Sequence, residues 1–135
     1  MSKIKLGDKF MEVLIVDDSE TVRIKLRNAL EGSGLIIHEA SDGLEGLSVL
    51  EEKKTIKLIV SDLNMPGLNG LDFIEQARAL EEFKEVPVLI VTTEVAESLK
   101  QRAKDLGVRA WMQKPLAQKK VANVINRVLG ELKGA

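Results

Sequence analysis

Short apolar runs recur five times along the chain, and most of them are continuous rather than alternating with polar residues. Continuous runs of Val, Ile and Leu of this length are typical of strands that are buried on both faces of a parallel sheet. The pattern therefore predicts strands at residues 12–16, 36–40, 57–61, 87–91 and 109–113.

Apolar residues at helical spacing separate these runs and predict five amphipathic helices. Gly32 and Gly34 mark the end of the first helix, and Gly107 marks the end of the fourth. Asp42 and Asn69 are placed to cap the second and third helices. The predicted inner faces, in helix order, are Val22, Leu26, Ala29 and Leu30; Leu44, Leu47 and Leu50; Leu71, Ile74, Ala77 and Leu80; Val95, Leu99, Ala103 and Leu106; and Val121, Val124, Ile125, Val128 and Leu132.

Alternation of five strands with five helices predicts an α/β fold with a doubly wound parallel sheet and right-handed crossovers. The 135 residues are enough for one domain with a sizeable core. We expect a short N-terminal extension at residues 1–11, the domain at residues 12–132 and a tail at residues 133–135.

Composition argues against several functional classes. The chain has 20 Lys and Arg against 21 Asp and Glu, so its overall charge favours neither nucleic acid nor membrane as a partner. Cysteine is absent, which excludes disulfides and thiol chemistry and fits a reducing compartment. No apolar run approaches the roughly 20 residues of a membrane span, and residues 1–10 are too polar for a signal peptide. We therefore expect a cytoplasmic protein. We also expect a monomer, although composition does not determine the oligomeric state.

Polar side chains follow four of the predicted strands, at the point where each strand ends. Asp17 and Asp18 follow the first strand, Asp62 the third, Thr92 the fourth and Lys114 the fifth. Because the carboxyl ends of parallel strands share one edge of a sheet, we expect these side chains to converge. Three neighbouring carboxylates repel one another unless a cation binds or one is protonated, and hard oxygen ligands suit Mg²⁺. The sequence therefore predicts a site for a divalent cation and an oxyanion.

The motifs V-D-D-S, S-D-L-N-M-P-G-L-N-G, V-T-T-E and K-P occur in this order between about Glu12 and Leu132. In order and spacing they resemble the receiver domains of bacterial two-component response regulators, and most of all the single-domain chemotaxis regulators of that family. The resemblance implies a flavodoxin-like sheet of strand order 2-1-3-4-5. It also implies a signalling protein that catalyses only its own phosphorylation and dephosphorylation, not an enzyme with a separate substrate.

The same resemblance implies a role for each acidic residue of the site. Asp62 is the expected phosphoacceptor, which would form an acyl phosphate. Asp18 and Asp62 are expected to bind Mg²⁺ directly, Asp17 largely through water, and Asn64 through its backbone carbonyl. Taken without the resemblance, the Asp17–Asp18 pair would cap the helix that follows it, a role that is compatible with metal binding.

Residues at the ends of the last two strands are expected to respond to the phosphoryl group. By resemblance, Lys114 contacts phosphoryl oxygens and its bond to Pro115 is cis, while Thr92 donates a hydrogen bond and Trp111 moves inward as the switch aromatic. Family members more often carry Tyr or Phe at the position of Trp111. The alternative for this larger residue is a ring fixed at the surface with a hydrated indole N–H.

Partners and signal lifetime follow from the resemblance as well. A sensor histidine kinase or a histidine phosphotransfer protein is the expected phosphodonor, and Asn64 and Glu94 are expected to tune a relatively fast dephosphorylation. The expected output face comprises the fourth helix, fifth strand and fifth helix, with Lys100, Lys104, Trp111 and Lys119 in a mildly basic patch.

Two other functions use the same residue types. A phosphorelay carrier would pass its phosphoryl group on to another histidine protein. A phosphatase similar to the haloacid dehalogenases also combines Asp, Thr, Lys and Mg²⁺, but its nucleophile follows the first strand in a D-x-D pattern, whereas Asp17 and Asp18 are adjacent here. His38, the only histidine, lies in the second strand and is expected to be structural.

Overall fold

The structure, a computed structural model, describes residues 11–134. In that part of the chain, five strands alternate with five α-helices, and a single turn of 3₁₀ helix, Glu81–Phe83, precedes the fourth strand. The elements are β1 Glu12–Val16, α1 Glu20–Ala29, β2 Ile36–Ala40, α2 Gly43–Glu52, β3 Ile56–Ser61, α3 Gly70–Arg78, β4 Val88–Thr92, α4 Glu97–Asp105, β5 Ala110–Gln113 and α5 Gln118–Gly134.

All five strands form one parallel sheet in the order β2-β1-β3-β4-β5. The predicted fold class and strand order are therefore confirmed. The start of β3, both ends of β4 and the start of β5 each differ from the prediction by one residue. Val16 at the end of β1 lies opposite Ala40 of β2 and Ser61 of β3. This register brings the residues that follow β1 and β3 side by side at the carboxyl edge of the sheet.

Helices cover both faces of the sheet, so successive strand residues face different cores. Val13 and Ile15 of β1 pack on the side of α1 and α5, whereas Leu14 and Val16 pack on the side of α2, α3 and α4. Burial on both faces explains why β1, β3 and β4 are mostly apolar, whereas the edge strands β2 and β5 are only partly buried and contain polar residues. Among the described residues, no helix is both long enough and apolar enough to cross a membrane.

The predicted caps of α2 and α3 are confirmed. Asp42 accepts a hydrogen bond from the backbone N–H of Glu45 at 2.8 Å, and Asn69 accepts one from Asp72 at 2.9 Å. Each cap satisfies one of the backbone donors that a helix leaves unpaired at its start.

The prediction that Leu44 and Val95 lie on the inner faces of helices is wrong. Leu44 is 63% exposed, because α2 turns Gly43 and Gly46 toward the interior instead. A Cβ at Gly46 would lie 2.8 Å from the Phe73 ring, so this close approach of α2 requires glycine. Val95 is 56% exposed because it precedes α4, which begins at Glu97.

The predicted bounds of the domain can be compared with the structure at both ends of the described residues. Residues 1–10 of the predicted extension lie outside the described residues, whereas Met11 packs against the core beneath α1 and α5. Helix α5 continues to Gly134, two residues beyond the predicted end of the domain at 132. The side chain of Leu132, predicted to face the core, lies outside the described side chains.

Candidate functional site

Three carboxylates meet at the carboxyl edge of the sheet. Asp17, Asp18 and Asp62 each offer a carboxylate oxygen, and these oxygens all lie within 4.8 Å of one another. Asp17 and Asp62 are buried, whereas Asp18 is exposed. The cluster is therefore enclosed on the side of the sheet and open to solvent at Asp18.

The sheet itself places the two buried carboxylates together. The backbone N–H of Asp17 donates to Ala40 O at 3.0 Å, and that of Asp62 donates to Val16 O at 2.9 Å, so the ladder continues one residue past β1 and β3. Helix α1 then begins with Ser19 as its N-cap, which accepts a hydrogen bond from Val22 N at 3.2 Å. The Asp17–Asp18 pair is thus not the N-cap of α1.

The two carboxylate oxygens of Asp62 have different partners. Oδ1 accepts hydrogen bonds from the backbone N–H groups of Leu63 at 2.6 Å and Asn64 at 3.3 Å, whereas Oδ2 contacts Lys114. The loop after Asp62 packs directly on the start of α3, where a Cβ at Gly70 would lie 2.1 Å from the Asp62 carbonyl oxygen. Only glycine fits at position 70 without displacing the loop that holds Asp62.

Lys114 reaches back from the end of β5 between the two buried carboxylates. Its Nζ lies 3.0 Å from Asp17 Oδ2 and 3.0 Å from Asp62 Oδ2. The backbone N–H of Lys114 donates to Thr92 O at 2.8 Å, and the Lys114–Pro115 peptide bond is cis. One ammonium group therefore pairs with two of the three carboxylates of the cluster.

Burial and charge move two pKa values in the site. Burial raises the pKa of Asp17 above its usual value, although hydrogen bonds from Ser19 N–H and Lys114 act against this rise. Burial alone would lower the pKa of Lys114, but its hydrogen bonds to Asp62 and Asp17 outweigh burial and raise that pKa. Lys114 is therefore charged at neutral pH, and its single charge leaves the cluster with an excess of negative charge. Such a donor set of hard, anionic oxygens fits a small divalent cation such as Mg²⁺.

Thr92 is the last residue of β4 and is fully buried. Its Oγ1 accepts a hydrogen bond from the backbone N–H of Glu94 at 3.3 Å, which leaves the hydroxyl proton free to be donated elsewhere. Asn64 is exposed and Glu94 is partly buried in the loops that follow Asp62 and Thr92. These loops border the carboxyl edge at which the carboxylates meet.

Trp111 lies opposite Ile90 in the sheet, and its ring packs against the core on the side of α2, α3 and α4. Its indole Nε1 is buried and has no hydrogen-bond acceptor among the described residues. The indole nitrogen is therefore turned away from the surface in this structure. The Lys100 ammonium lies 5.8 Å from the ring centroid, a distance compatible with a cation–π contact.

Other residues expected on the output face are at the surface. Lys104 on α4 and Lys119 on α5 are exposed. Lys119 lines a shallow groove along α5 together with Lys120, Asn123 and Arg127. His38, by contrast, pairs with Glu12 through Nε2 at 2.7 Å and is not part of the carboxylate cluster.

The sequence pattern did not identify Arg23 and Glu39 as neighbours of the site. Arg23 Nη1 donates to the backbone carbonyl of Asp17 at 2.6 Å, and Arg23 Nε donates to Glu39 Oε1 at 2.8 Å. In a helical pattern an arginine at this position is indistinguishable from a solvated surface residue, so no signal in the sequence could have found it.

Comparison with known proteins places these observations in one family. The family model described as "Response regulator receiver domain" matches residues 13–126. The chain is 35% identical over 121 residues to chemotaxis protein CheY1 of Helicobacter pylori, covering 89% of this chain and 98% of that protein. Over 116 residues it is 33% identical to the sensor histidine kinase CheAY of Helicobacter pylori, covering 85% of this chain and 14% of that protein. A solved structure of Vibrio cholerae chemotaxis protein CheY4 superposes with a TM-score of 0.82 at 32% identity, covering 89% of this chain and 99% of that chain.

Proposed function

Because the chain belongs to the response regulator receiver family and resembles its CheY chemotaxis proteins, we propose that it accepts a phosphoryl group on Asp62 from a phosphohistidine of a histidine kinase. The observation that supports this proposal is the position of the Lys114 ammonium, 3.0 Å from both Asp62 and Asp17. A carboxylate, a cation and two further carboxylates at one sheet edge are the parts that phosphoryl transfer to an aspartate needs.

Asp62 Oδ2 is the oxygen best placed to attack phosphorus. Oδ1 is held by two backbone N–H groups, whereas Oδ2 contacts only the flexible side chain of Lys114. In the transfer, Oδ2 forms a bond to phosphorus while the bond between phosphorus and the donor's histidine nitrogen breaks. The electron pair of that bond stays on the imidazole, and the product is an aspartyl phosphate on Asp62.

Charge is the main obstacle to this reaction, because the phosphoryl group arrives at a site that is already negative. Lys114 and Thr92 act on the phosphoryl oxygens, the first as a point charge and the second through its free hydroxyl proton. We propose that Asp18, Asp62 and the Asn64 carbonyl hold Mg²⁺, with Asp17 acting through water. When bound, Mg²⁺ supplies positive charge that offsets the charge of the carboxylates and phosphoryl oxygens.

Labelling with a small phosphodonor tests the acceptor. With acetyl phosphate and Mg²⁺, the intact mass of the chain should increase by one phosphoryl group that is stable to acid and labile to base. Asp62→Asn should abolish the gain, whereas Asp105→Asn, which changes an exposed carboxylate on α4, should leave it intact. Undiminished labelling of the Asp62 variant would end the assignment, and sustained turnover of phosphate esters would instead favour a phosphatase.

Lifetime of the phosphorylated form is proposed to depend on Asn64 and Glu94. Both lie in loops at the carboxyl edge, and Glu94 N–H binds the hydroxyl of Thr92. Larger or basic residues at these two positions should alter access of water to the acyl phosphate and so change its decay constant. An unchanged decay constant would mean that both are ordinary loop residues.

The proposed switch couples Thr92 to Trp111. The Trp111 indole N–H is buried and has no acceptor among the described residues, and we propose that phosphorylation moves this ring. Because Trp111 is the only Trp and the chain has no Tyr, its fluorescence reports this one position. With Mg²⁺ and beryllofluoride, emission should shift toward shorter wavelength as the partly exposed ring becomes fully buried.

Thr92→Ala should remove this fluorescence change while leaving Mg²⁺ binding largely intact. Unchanged emission and acrylamide quenching in a protein that binds the mimic would make Trp111 a fixed residue. A downstream protein partner is proposed to read the switch on the face formed by α4, β5 and α5, where Lys100 lies 5.8 Å from the Trp111 ring centroid and Lys104 and Lys119 are exposed.

A further inference from the structure

Arg23 on α1 makes an unusual pair of contacts next to the carboxylate cluster. Its Nη1 donates to the backbone carbonyl of Asp17 at 2.6 Å, and its Nε donates to Glu39 Oε1 at 2.8 Å. Its side chain is only 16% exposed. A guanidinium held at two points in a partly enclosed position differs from the mobile surface ion pairs that contribute little.

Glu39 anchors this arginine. Its second oxygen, Oε2, accepts hydrogen bonds from Arg27 Nε at 2.9 Å and Nη2 at 2.6 Å. Burial alone would raise the pKa of Glu39, but the hydrogen bonds from Arg27 and Arg23 outweigh burial and hold that pKa below its usual value. Glu39 therefore stays ionised and fixes the orientation of the Arg23 guanidinium.

The backbone of Asp17 is consequently held on both sides. Its N–H donates to Ala40 O at 3.0 Å, and its carbonyl accepts from Arg23. That carbonyl belongs to the peptide unit that joins Asp17 to Asp18. The position of this peptide unit determines the position of the Asp18 Cα, from which the exposed Asp18 carboxylate extends.

We propose that Arg23, oriented by Glu39, is a positioning residue for the metal site, because it fixes the peptide unit between two of the three clustered carboxylates. The inference rests on the proposed function in so far as the cluster binds Mg²⁺. Residues that orient metal ligands from one step away typically change metal affinity by roughly 10- to 100-fold when they are replaced.

Charge alone would have the opposite effect at this position. A permanent cation near the cluster repels a second cation, so removing Arg23 would tighten Mg²⁺ binding if charge were its only influence. If positioning dominates, removing Arg23 weakens binding even though a repulsive charge has been removed. The sign of the change therefore separates the two explanations.

Calorimetric titration of the folded chain of 135 residues with Mg²⁺ tests this inference. Arg23→Gln and Glu39→Ala should each weaken Mg²⁺ binding by about tenfold, and Arg23→Lys should recover only part of the loss because an ammonium lacks the guanidinium fork. Arg27→Gln is the matched control: it removes an equal charge from the same carboxylate but does not touch Asp17. It should change the affinity by less than about twofold.

Circular dichroism and unfolding without Mg²⁺ verify that each variant is folded, since a purely structural role would alter stability but not affinity. Affinity that is unchanged or tighter in Arg23→Gln overturns the inference, as does an equal loss in Arg27→Gln. If the unaltered protein binds no Mg²⁺, the metal site fails and this inference fails with it. If it binds Mg²⁺ and is phosphorylated on Asp62 while the Arg23 variants match it, only this inference fails.

Discussion

The two ends of the sheet each contain a partly buried cation, and the two cations have different surroundings. At the carboxyl end, Lys114 lies between the carboxylates of Asp17 and Asp62. At the amino end, Arg78 donates to the backbone carbonyls of Phe83 at 3.0 Å, Val86 at 2.6 Å and Leu106 at 3.0 Å, just before β4 and β5 begin. Lys114 is therefore paired with carboxylates, whereas Arg78 donates hydrogen bonds to neutral backbone carbonyls.

The effect on each pKa follows from these surroundings. Carboxylates raise the pKa of Lys114 despite its burial, whereas burial, reinforced by the nearby charge of Arg109, lowers the pKa of Arg78. Arg78 donates hydrogen bonds to neutral backbone carbonyls at the amino end. The carboxyl end has three carboxylates against one ammonium group, and a bound cation or protonation would relieve their repulsion.

Removing Arg78 should have the largest effect on stability. Arg78→Met leaves three partly buried backbone carbonyls without this donor, and we expect a loss of about 2–4 kcal/mol in the free energy of unfolding, measured with urea. Phosphorylation per folded molecule should be unchanged, since Arg78 is at the other end of the sheet. Arg102→Met is the control, because Arg102 pairs with Asp72 and Glu75 on the surface and should lose less than about 1 kcal/mol. Equal losses of unfolding free energy in the two variants would show that Arg78 contributes no more to stability than a surface ion pair.

Magnesium should stabilise the protein through the carboxyl end. At a free Mg²⁺ concentration of about 100 times the dissociation constant, the free energy of unfolding should rise by about 2.7 kcal/mol, and chelation with EDTA should reverse the rise. Asp18→Asn should abolish most of this gain. Equal stabilisation by sodium chloride at matched ionic strength would show that screening, not binding, is responsible.

Neutralising one carboxylate of the cluster should stabilise the metal-free protein. Asp17→Asn removes a buried carboxyl group whose pKa is raised by burial. The new amide oxygen still accepts a hydrogen bond from Ser19 N–H, and Lys114 still pairs with Asp62. We expect a gain of about 1 kcal/mol in urea unfolding at pH 7 without Mg²⁺, together with weaker Mg²⁺ binding. A loss of stability would mean that Lys114 already balances the cluster.

The smallest effect is expected from Glu12, at the amino end. Its carboxylate accepts hydrogen bonds from Thr55 and from His38, and these contacts, aided by the charges of His38 and Lys53, hold the pKa of Glu12 below its usual value of 4.5. A lowered pKa contributes stability above the unfolded value, and this contribution is lost as the pH falls through the folded pKa.

Glu12→Gln should therefore cost about 1 kcal/mol at pH 7 and less at about pH 3.5, measured by urea unfolding at both pH values. Thr55→Val removes one of the same contacts without changing the charge, and should show a smaller loss that depends less on pH. If the difference in unfolding free energy between the unaltered protein and Glu12→Gln is the same at both pH values, the role assigned to this carboxylate is contradicted.

Much of the fold was predictable from local pattern. Short apolar runs, most of them continuous, predicted all five strands, and caps at Asp42 and Asn69 were predicted from single polar residues before an apolar stripe. Polar residues after the strands, together with the resemblance to receiver domains, predicted which residues meet at the carboxyl edge. Membership of that family is confirmed by the match over residues 13–126.

The rotation of α2 could not be predicted in this way. Spacing alone placed Leu44 inside, but the helix turns Gly43 and Gly46 inward because a larger residue at position 46 would collide with Phe73. The orientation of a helix depends on how close its neighbours approach, and that distance is a property of the packed molecule.

By itself, the sequence determined where strands and helices form and which chemical groups lie at the ends of the strands, because both depend on neighbouring residues. Only the tertiary structure decided which polar side chains meet across the fold. Lys114 and Asp17 are 97 positions apart, and their contact requires the assembled sheet. Arg23 and Arg78 look like ordinary polar residues of amphipathic helices, since the pattern of one helix contains no information about the carbonyl group that another element presents to it.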